Sequence, residues 1–261
     1  MNTPSPTPAP AVPVHAPHIP LTDYYKTEQD RQAYLRKIFD DTAPDYDRIE
    51  AMLAWGTGSR YRRQALVRAG LKNGMKVIDV GVGTGLVAAQ ACFLVGDPAL
   101  VTGVDPSPGM MAASKLPKTM LLIEGRAESL PFPDNHFDFL SMGYALRHIS
   151  DLGVAFTEFE RVLKPGGRLC ILEITQAKSR TGQWLLKNYM RGVIPLLTRF
   201  ISRQKETATI WRYYWDSIEA CVPPEQVMAT LSAAGFTQVA RHVEVGIFSE
   251  YQAIKNVPSL A

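Results

Sequence analysis

The chain has 261 residues, 46% of them apolar, and a formal net charge of +3. That length fits one decorated α/β domain with a sizeable core. So small a net charge gives no ground for nucleic-acid binding. Cys92, Cys170 and Cys221 supply neither a disulfide framework nor a CxxC metal pair, which points to a reducing, cytoplasmic compartment. The five histidines are scattered without metal-ligand spacing, so no metal is expected. No run approaches the roughly 18 uninterrupted apolar residues of a membrane span, and the N-terminus lacks the features of a secretory signal.

In chain order, residues 1–22 read as a disordered Pro-rich tail, with seven prolines in the first 20 positions, a composition that favours PPII. The domain proper is expected over 23–255, followed by a short tail, 256–261. Tyr25 to Phe39 is helical and charge-rich. A second polar–apolar stretch, Tyr46 to Leu71, carries Arg60-Tyr61-Arg62-Arg63. Strands are then predicted at Val77–Val80, Leu100–Val104, Met120–Ile123, Phe137–Met142 and Arg168–Ile174. Helices are predicted over 86–95, from about Ser107, and over 151–163, the last closing at the cap-and-turn signal Lys164-Pro165-Gly166-Gly167. After an insertion (176–220), Pro223–Ala234 reads as a helix, and Val239–Val245 with Gly246–Ala253 as a closing strand pair. Strands alternating with helices predict an α/β fold with a doubly wound, mostly parallel sheet.

The most telling stretch is Val77-Ile78-Asp79-Val80-Gly81-Val82-Gly83-Thr84-Gly85-Leu86. Glycine at every second position lets the backbone approach a ligand and supplies positive φ. The pattern G-x-G-x-G lacks the last glycine of the dinucleotide fingerprint, Leu86 standing in its place. No lysine follows, which excludes a triphosphate-cradling P-loop. A nucleoside without a long phosphate tail fits, and S-adenosylmethionine (SAM) is one. Asp105, about 20 residues beyond the loop, has the register of a carboxylate accepting two ribose hydroxyls. The structural alternative, which the register with the loop disfavours, is a cap on the helix starting at Pro106-Ser107.

The block Glu124–Asp138, with Leu130-Pro131-Phe132-Pro133-Asp134-Asn135 at its centre, resembles the methyltransferases of ubiquinone and menaquinone biosynthesis (UbiE-type). So do Tyr144–Leu152 and the N-terminal positions Phe39, Ala43, Tyr46-Asp47 and Gly56. Arg161–Arg168 is shared more widely among class I SAM-dependent methyltransferases. The resemblance covers about residues 35–255 and implies a seven-stranded Rossmann-like sheet with SAM as cofactor. It implies that Gly81, Gly83 and Gly85 approach the methionine and ribose portions and that Asp105 holds the ribose. Pro106 and Met110 would pack near the adenine, Ala127 and Glu128 would border it, and Tyr46 and Arg63 would sit near the methionine end. Arg62 and Arg63 could instead form a solvated helix face. Two positions depart from the family pattern: Arg126 stands where an Asp usually lies beside the adenine, and His148 where Asn usually follows the Leu-Arg pair.

The resemblance implies C-methylation of a quinol or related phenol. Other natural-product acceptors, O-methylation, and a SAM-binding homologue without methyl transfer are the alternatives. Methyl transfer to a phenolic ring gains from removal of the hydroxyl proton. His148 is the expected base, titrating near the ordinary histidine value of about 6.5, and Arg147 the expected oxyanion partner. Their structural alternatives are a packed helix-start residue and an ion pair with Asp151. The segment between Glu173 and Glu206 holds no acidic residue and seven basic ones. Lys187, Arg191, Arg199 and Arg203 fall on one half of a helical wheel, with Leu186, Met190, Val193, Leu197, Phe200 and Ile201 on the other. This is either a lid packed on the sheet or a peripheral membrane contact through 178–205. Pro195 should divide it into two helices, and Trp211, Tyr213, Tyr214 and Trp215 could line an apolar acceptor tunnel. The sequence leaves the oligomeric state open, a homodimer included.

Overall fold

Short apolar runs bounded by glycine and proline become strands buried on both faces, which is the pattern of a covered parallel sheet. In the computed structural model, residues 15–53, 57–196 and 206–257 are described. The strands are β1 (Val77–Val80), β2 (Val101–Asp105), β3 (Leu121–Glu124), β4 (Phe137–Gly143), β5 (Leu163–Ile174), β6 (Phe236–Glu244) and β7 (Phe248–Lys255). They form a seven-stranded sheet in the order β3-β2-β1-β4-β5-β7-β6. The first five pair in parallel, and β7 lies antiparallel between β5 and β6. The chain leaves β1 towards β2 and later returns to its other side as β4. A crevice therefore opens at the carboxyl ends of β1 and β4, where ligands bind in such sheets.

The helices are α1 (Glu28–Leu53), α2 (Gly58–Arg68), α3 (Leu86–Val95), α4 (Pro108–Ala113), α5 (Leu152–Val162), α6 (Arg180–Asn188), α7 (Glu206–Ala220) and α8 (Pro224–Ala233). One face of the sheet packs on α5 and α8 through Phe156, Phe159, Val227 and Leu231. The other packs on α2 and α3 through Ala65, Leu66, Ala88 and Ala91. A third cluster joins Leu35 and Ile38 of α1 to Ile210, Trp211, Tyr213 and Tyr214 of α7 and to Met190 and Ile194 of the insertion.

Three expectations are modified. The two N-terminal stretches divide later than predicted, because α1 runs through Pro44 and takes in Tyr46. Lys164–Gly167 do not end the strand ladder. Phe137 pairs with Leu163 and Phe139 with Arg168, so the four residues loop out inside β5, with Gly166 at φ 77°. In the insertion, α6 passes into a π-helical turn, Tyr189–Val193, and residues 194–196 continue as helix across Pro195. That turn is where the hydrogen-bond register shifts to admit a residue without an N–H. Leu197, Arg199, Phe200, Ile201 and Arg203 of the helical wheel lie outside the described residues.

The Leu130–Asn135 segment has a structural reason. Arg161 of α5 donates to the Leu130 and Phe132 carbonyls at 3.0 and 2.8 Å and pairs with Glu158 and Asp134. Glu158 accepts from the Leu130 amide at 2.8 Å. This clamp fixes the loop that leads from β3 into β4. Arg161→Ala is expected to lower stability by about 2 kcal/mol, since hydrogen bonds to charged groups contribute roughly 1.5–3 kcal/mol. Urea unfolding measures it, and a variant as stable as wild type would leave the clamp without energetic weight.

Candidate active site

A cavity of about 970 Å³ opens at the carboxyl ends of β1, β2 and β4 and is walled by α1 and the insertion. Its floor is the glycine loop. Gly81 has φ 71°, and a Cβ there would come within 2.5 Å of the Ala145 Cβ, so a side chain would push the loop off the β4 end. Gly83 donates its amide to Asp105 Oδ2 at 2.7 Å, and the Ser107 amide donates to Asp105 Oδ1 at 2.8 Å. Asp105 thus binds the loop to the start of α4. It is not the helix cap: Ser107 takes that place, its Oγ accepting from the Met110 amide at 3.1 Å. Burial pushes the Asp105 carboxyl up to about 6, against the pull of the two amides.

Tyr46, Gly81, Gly83, Asp105, Pro106, Met110, Arg126, Ala127, Glu128, Arg147 and His148 all line this cavity. Gly85 and Arg63 do not. Gly85 is the left-handed cap of α3 at φ 91°, packed so closely on Leu116 that a Cβ would come within 2.4 Å of its side chain. Arg63 points along α3, 3.8 Å over the Phe93 ring and bonded to Gln90 Oε1 at 3.0 Å. One residue earlier, Arg62 is buried, lines the cavity, pairs with Glu50 and lies 5.7 Å from the Tyr144 ring centroid. The basic cluster therefore sends one arginine to the cavity, and it is the neighbour of the expected one.

Arg126 is not a free cation in the cavity. Its Nη2 lies 3.3 Å from Glu128 Oε1 and donates to Ser150 Oγ at 2.9 Å. The same Glu128 oxygen accepts from the Ser150 amide at 2.6 Å. Arg31 of α1 completes the latch, donating to the Arg147 and Ile149 carbonyls at 3.2 and 2.8 Å.

Tyr144 adopts a left-handed backbone, φ 60°, which is uncommon for an aromatic residue. It turns the chain out of β4 into the 3₁₀ turn Leu146–His148. Arg147, beyond it, is buried and paired with Glu173, not with Asp151, and its Nε donates to Ser217 Oγ at 3.2 Å. Asp151 instead caps α5, accepting from the Gly153 and Val154 amides. His148 packs among Phe39, Tyr213 and Tyr214. Its Nδ1 is 3.3 Å from the Tyr213 hydroxyl, and its Nε2 is buried without a partner. Burial, aided by Arg147, Arg31 and His18, holds its pKa well below the ordinary histidine value. The expected titration near 6.5 is thereby corrected downward.

Asp79 lines the same cavity and was absent from the sequence-derived set. It sits within β1, accepts from Ser141 Oγ at 2.6 Å, and burial pushes it up to about 7. A lone carboxylate inside the apolar run Val77–Val80 was the available signal. Of the four aromatics expected along the tunnel, Trp211 and Tyr214 line the cavity, while Tyr213 and Trp215 are buried in the α1–α7 cluster.

The family model of the ubiE/COQ5 methyltransferase family matches residues 26–255. The chain belongs to that family. Among curated relatives, the ubiquinone/menaquinone biosynthesis C-methyltransferases UbiE of Shewanella woodyi and Shewanella frigidimarina are each 31% identical over 224 residues, covering 82% of this chain and 88% of theirs. A SAM-dependent methyltransferase of Aquifex aeolicus aligns with TM-score 0.53 at 23% identity, over 74% of this chain and 88% of that one. Phosphoethanolamine N-methyltransferase 2 of Haemonchus contortus, solved with SAM, aligns with TM-score 0.54 at 18% identity, over 76% of this chain and 52% of that one. The 4+2 cyclase SpnF aligns with TM-score 0.58 at 18% identity, over 94% and 99%. These structures show a shared fold, and a fold of this kind hosts more than one reaction. Family membership makes the chain a SAM-dependent methyltransferase, and the reading as a non-transferring homologue gives way.

A carboxyl whose folded-state pKa is raised keeps its proton longer in the folded than in the unfolded chain. Its contribution to stability therefore falls as pH rises from its unfolded value, about 4, through its folded value. For the methyltransferase without ligand, Asp79→Asn is expected to unfold at higher urea than wild type at pH 8, by about 1–3 kcal/mol. The gap should shrink as pH falls towards about 4. A pH-independent difference would show that Asp79 is not held protonated in the fold.

Proposed function

We propose that this methyltransferase transfers a methyl group to a ring carbon of a quinol or related phenol carrying an apolar tail. The observation that carries this reading is the two-part cavity. One end is polar and backbone-rich, around Gly81, Gly83 and Asp105. The other is walled by Phe39, His148, Ile194, Trp211 and Tyr214. Its volume of about 970 Å³ stands at the upper end of small-molecule sites, roughly 300–1,000 Å³, which suits two ligands side by side. The names of the Shewanella relatives favour the same acceptor class. A reducing, cytoplasmic setting suits the free thiols Cys92, Cys170 and Cys221.

SAM, when bound, supplies an electrophilic methyl on a sulfonium. Asp105 would accept its ribose hydroxyls with lone pairs left over from the two amides. Pro106, Met110 and Ala127 would enclose the adenine, and the Glu128–Arg126 pair would border it. Gly81 and Gly83 would lie against the methionine and ribose portions, while Asp79 and Tyr46 would meet the methionine end, Asp79 as the carboxylate partner of its ammonium. Gly85 acts beneath the site by shaping α3, and Arg62 replaces Arg63 at the cavity wall.

His148 is neutral across the physiological range, so it can accept the acceptor's hydroxyl proton, directly or through water. Its depressed pKa makes it a weak base, and the proton is shared in a hydrogen bond more than it is taken. Arg147, already neutralised by Glu173, would act on the developing phenolate as one end of an ion pair and not as a net positive charge. His148→Ala is expected to lower kcat about 100-fold, the lower range for loss of a positioned base, with S-adenosylhomocysteine binding retained. Its pH–rate profile should lose an inflection lying below 6.5. Turnover and pH dependence equal to wild type would remove His148 from the chemistry. Mass spectrometry of a demethylated quinol incubated with SAM should show a product heavier by one CH₂ whose new methyl survives boron tribromide. A methyl removed by that reagent, which cleaves aryl methyl ethers, would instead establish O-methylation.

A further inference from the structure

We propose that the outer face of α6 and the turn after it is a docking surface for an anionic lipid bilayer. This segment has two unlike sides. Leu186, Tyr189, Met190 and Ile194 wall the active-site cavity. Outside that lining, Trp184 and Leu185 are 64% and 61% exposed, and Val193 and Leu196 are 46% and 57% exposed. These four of the eleven large exposed apolar side chains among the described residues fall within 13 residues, and such clustering marks an interaction surface. A tryptophan beside leucines, flanked by cations, is the composition that settles at the headgroup level of a membrane.

The charge pattern selects an anionic occupant. From 174 to 205 there are seven basic residues and no acidic one. Two carboxylates reach this face from α7, and both are neutralised: Glu219 by Lys187 at 3.1 Å and Asp216 by Arg191 at 3.6 Å. Among the described residues, neither Lys178 nor Arg180 has an ion-pair partner, and both are exposed. At the foot of Trp184, Arg180 opens onto a second, smaller cavity of about 220 Å³, also lined by Gln176, Gln183, Lys187, Trp215 and Glu219, whose carboxylate is held by Lys187 and by the Trp215 indole N–H at 3.1 Å each. A phosphodiester headgroup would find there an unpaired guanidinium next to an indole that can enter the interface. Because Leu186 of α6 and the turn after it also wall the active-site cavity, docking in this way sets the cavity beside the membrane, and an acceptor with an apolar tail need not cross water. No helix of the described residues is long and apolar enough to cross a membrane, so the contact is peripheral.

Co-sedimentation of the full chain with vesicles tests this without any methyl acceptor, so its result is separate from the acceptor assignment. Wild type should pellet with vesicles of phosphatidylcholine containing phosphatidylglycerol, with a blue-shifted tryptophan emission. It should not pellet with phosphatidylcholine alone, and its binding should weaken with salt. Lys178→Glu combined with Arg180→Glu should lower the partition coefficient at least about 20-fold, each basic residue near an anionic surface contributing about fivefold. Trp184→Ala combined with Leu185→Ala should lower it at least about tenfold and remove the emission shift. Both variants should bind S-adenosylhomocysteine as wild type does, since none of the four residues lines the active-site cavity. Failure of wild type to bind anionic vesicles at low salt overturns the proposal, as does equal binding by both variants. So would loss of a dimer in the Trp184–Leu185 variant, in sedimentation velocity without vesicles, if wild type ignores the vesicles. Competition by free inorganic phosphate that abolishes binding while that variant still binds fully also counts against a bilayer.

Discussion

Burying a carboxylate costs several kcal/mol unless its oxygens are satisfied, and the crevice of this enzyme is organised around one such group. Asp105, at the end of β2, takes the amides of Gly83 and Ser107 on its two oxygens. The glycine loop, the strand end and the first turn of α4 therefore hold one another in place. The arrangement extends outward, because Asp40 of α1 accepts from the Gly109 amide at 2.9 Å and from Ser107 Oγ. A helix some 65 residues earlier in the chain is fixed to the end of β2 through the same turn. The carboxylate at the end of β2 is thus the pin of the fold around it, and burial raises its pKa although the two amides pull it down.

A second set of polar contacts closes the other side of the crevice. Arg31 reaches from α1 to the carbonyls of Arg147 and Ile149, and Ser150 joins Glu128 and Arg126 just beyond. Arg126 stands where the family pattern has an acidic acceptor, yet it adds no free charge to the cavity, because Glu128 lies against it. Arg147 is spent in the same way on Glu173. The two arginines therefore bring little net charge to the cavity, while Asp79 and Asp105 are held there by a hydroxyl and by backbone amides. His148 sits among these groups as a neutral ring with one unpartnered nitrogen.

Much of this was legible beforehand. The strands, the crossover helices and the glycine loop announce themselves because apolar periodicity and the positive φ of glycine act over a few residues. The position of Asp105 follows from its place at the end of the next strand. Harder to see were the residues whose role depends on a partner far along the chain. Arg62 and Arg63 are adjacent and chemically identical, and only the packing of α2 against α3 decides that Arg62 meets Glu50 while Arg63 lies over Phe93. Gly85 looks like Gly81 and Gly83, but the start of α3 turns it under Leu116 and away from the cavity. Asp79 was visible as a charged residue in an apolar strand, and its meaning waited on the crevice at β4.

The sequence by itself determined the element order, the parallel sheet, the family and the chemistry of the cofactor, since these rest on local patterns that survive without knowledge of what they touch. Tertiary structure decided which charges are free and which are already matched. Glu173 comes to Arg147 from the end of β5, and the Ser150 amide, 22 residues on, meets the Glu128 oxygen that faces Arg126. Glu219 and Asp216 come to the insertion from α7. Ion pairing depends on distances of a few ångströms between residues far apart in the chain, and no spacing along the sequence encodes those.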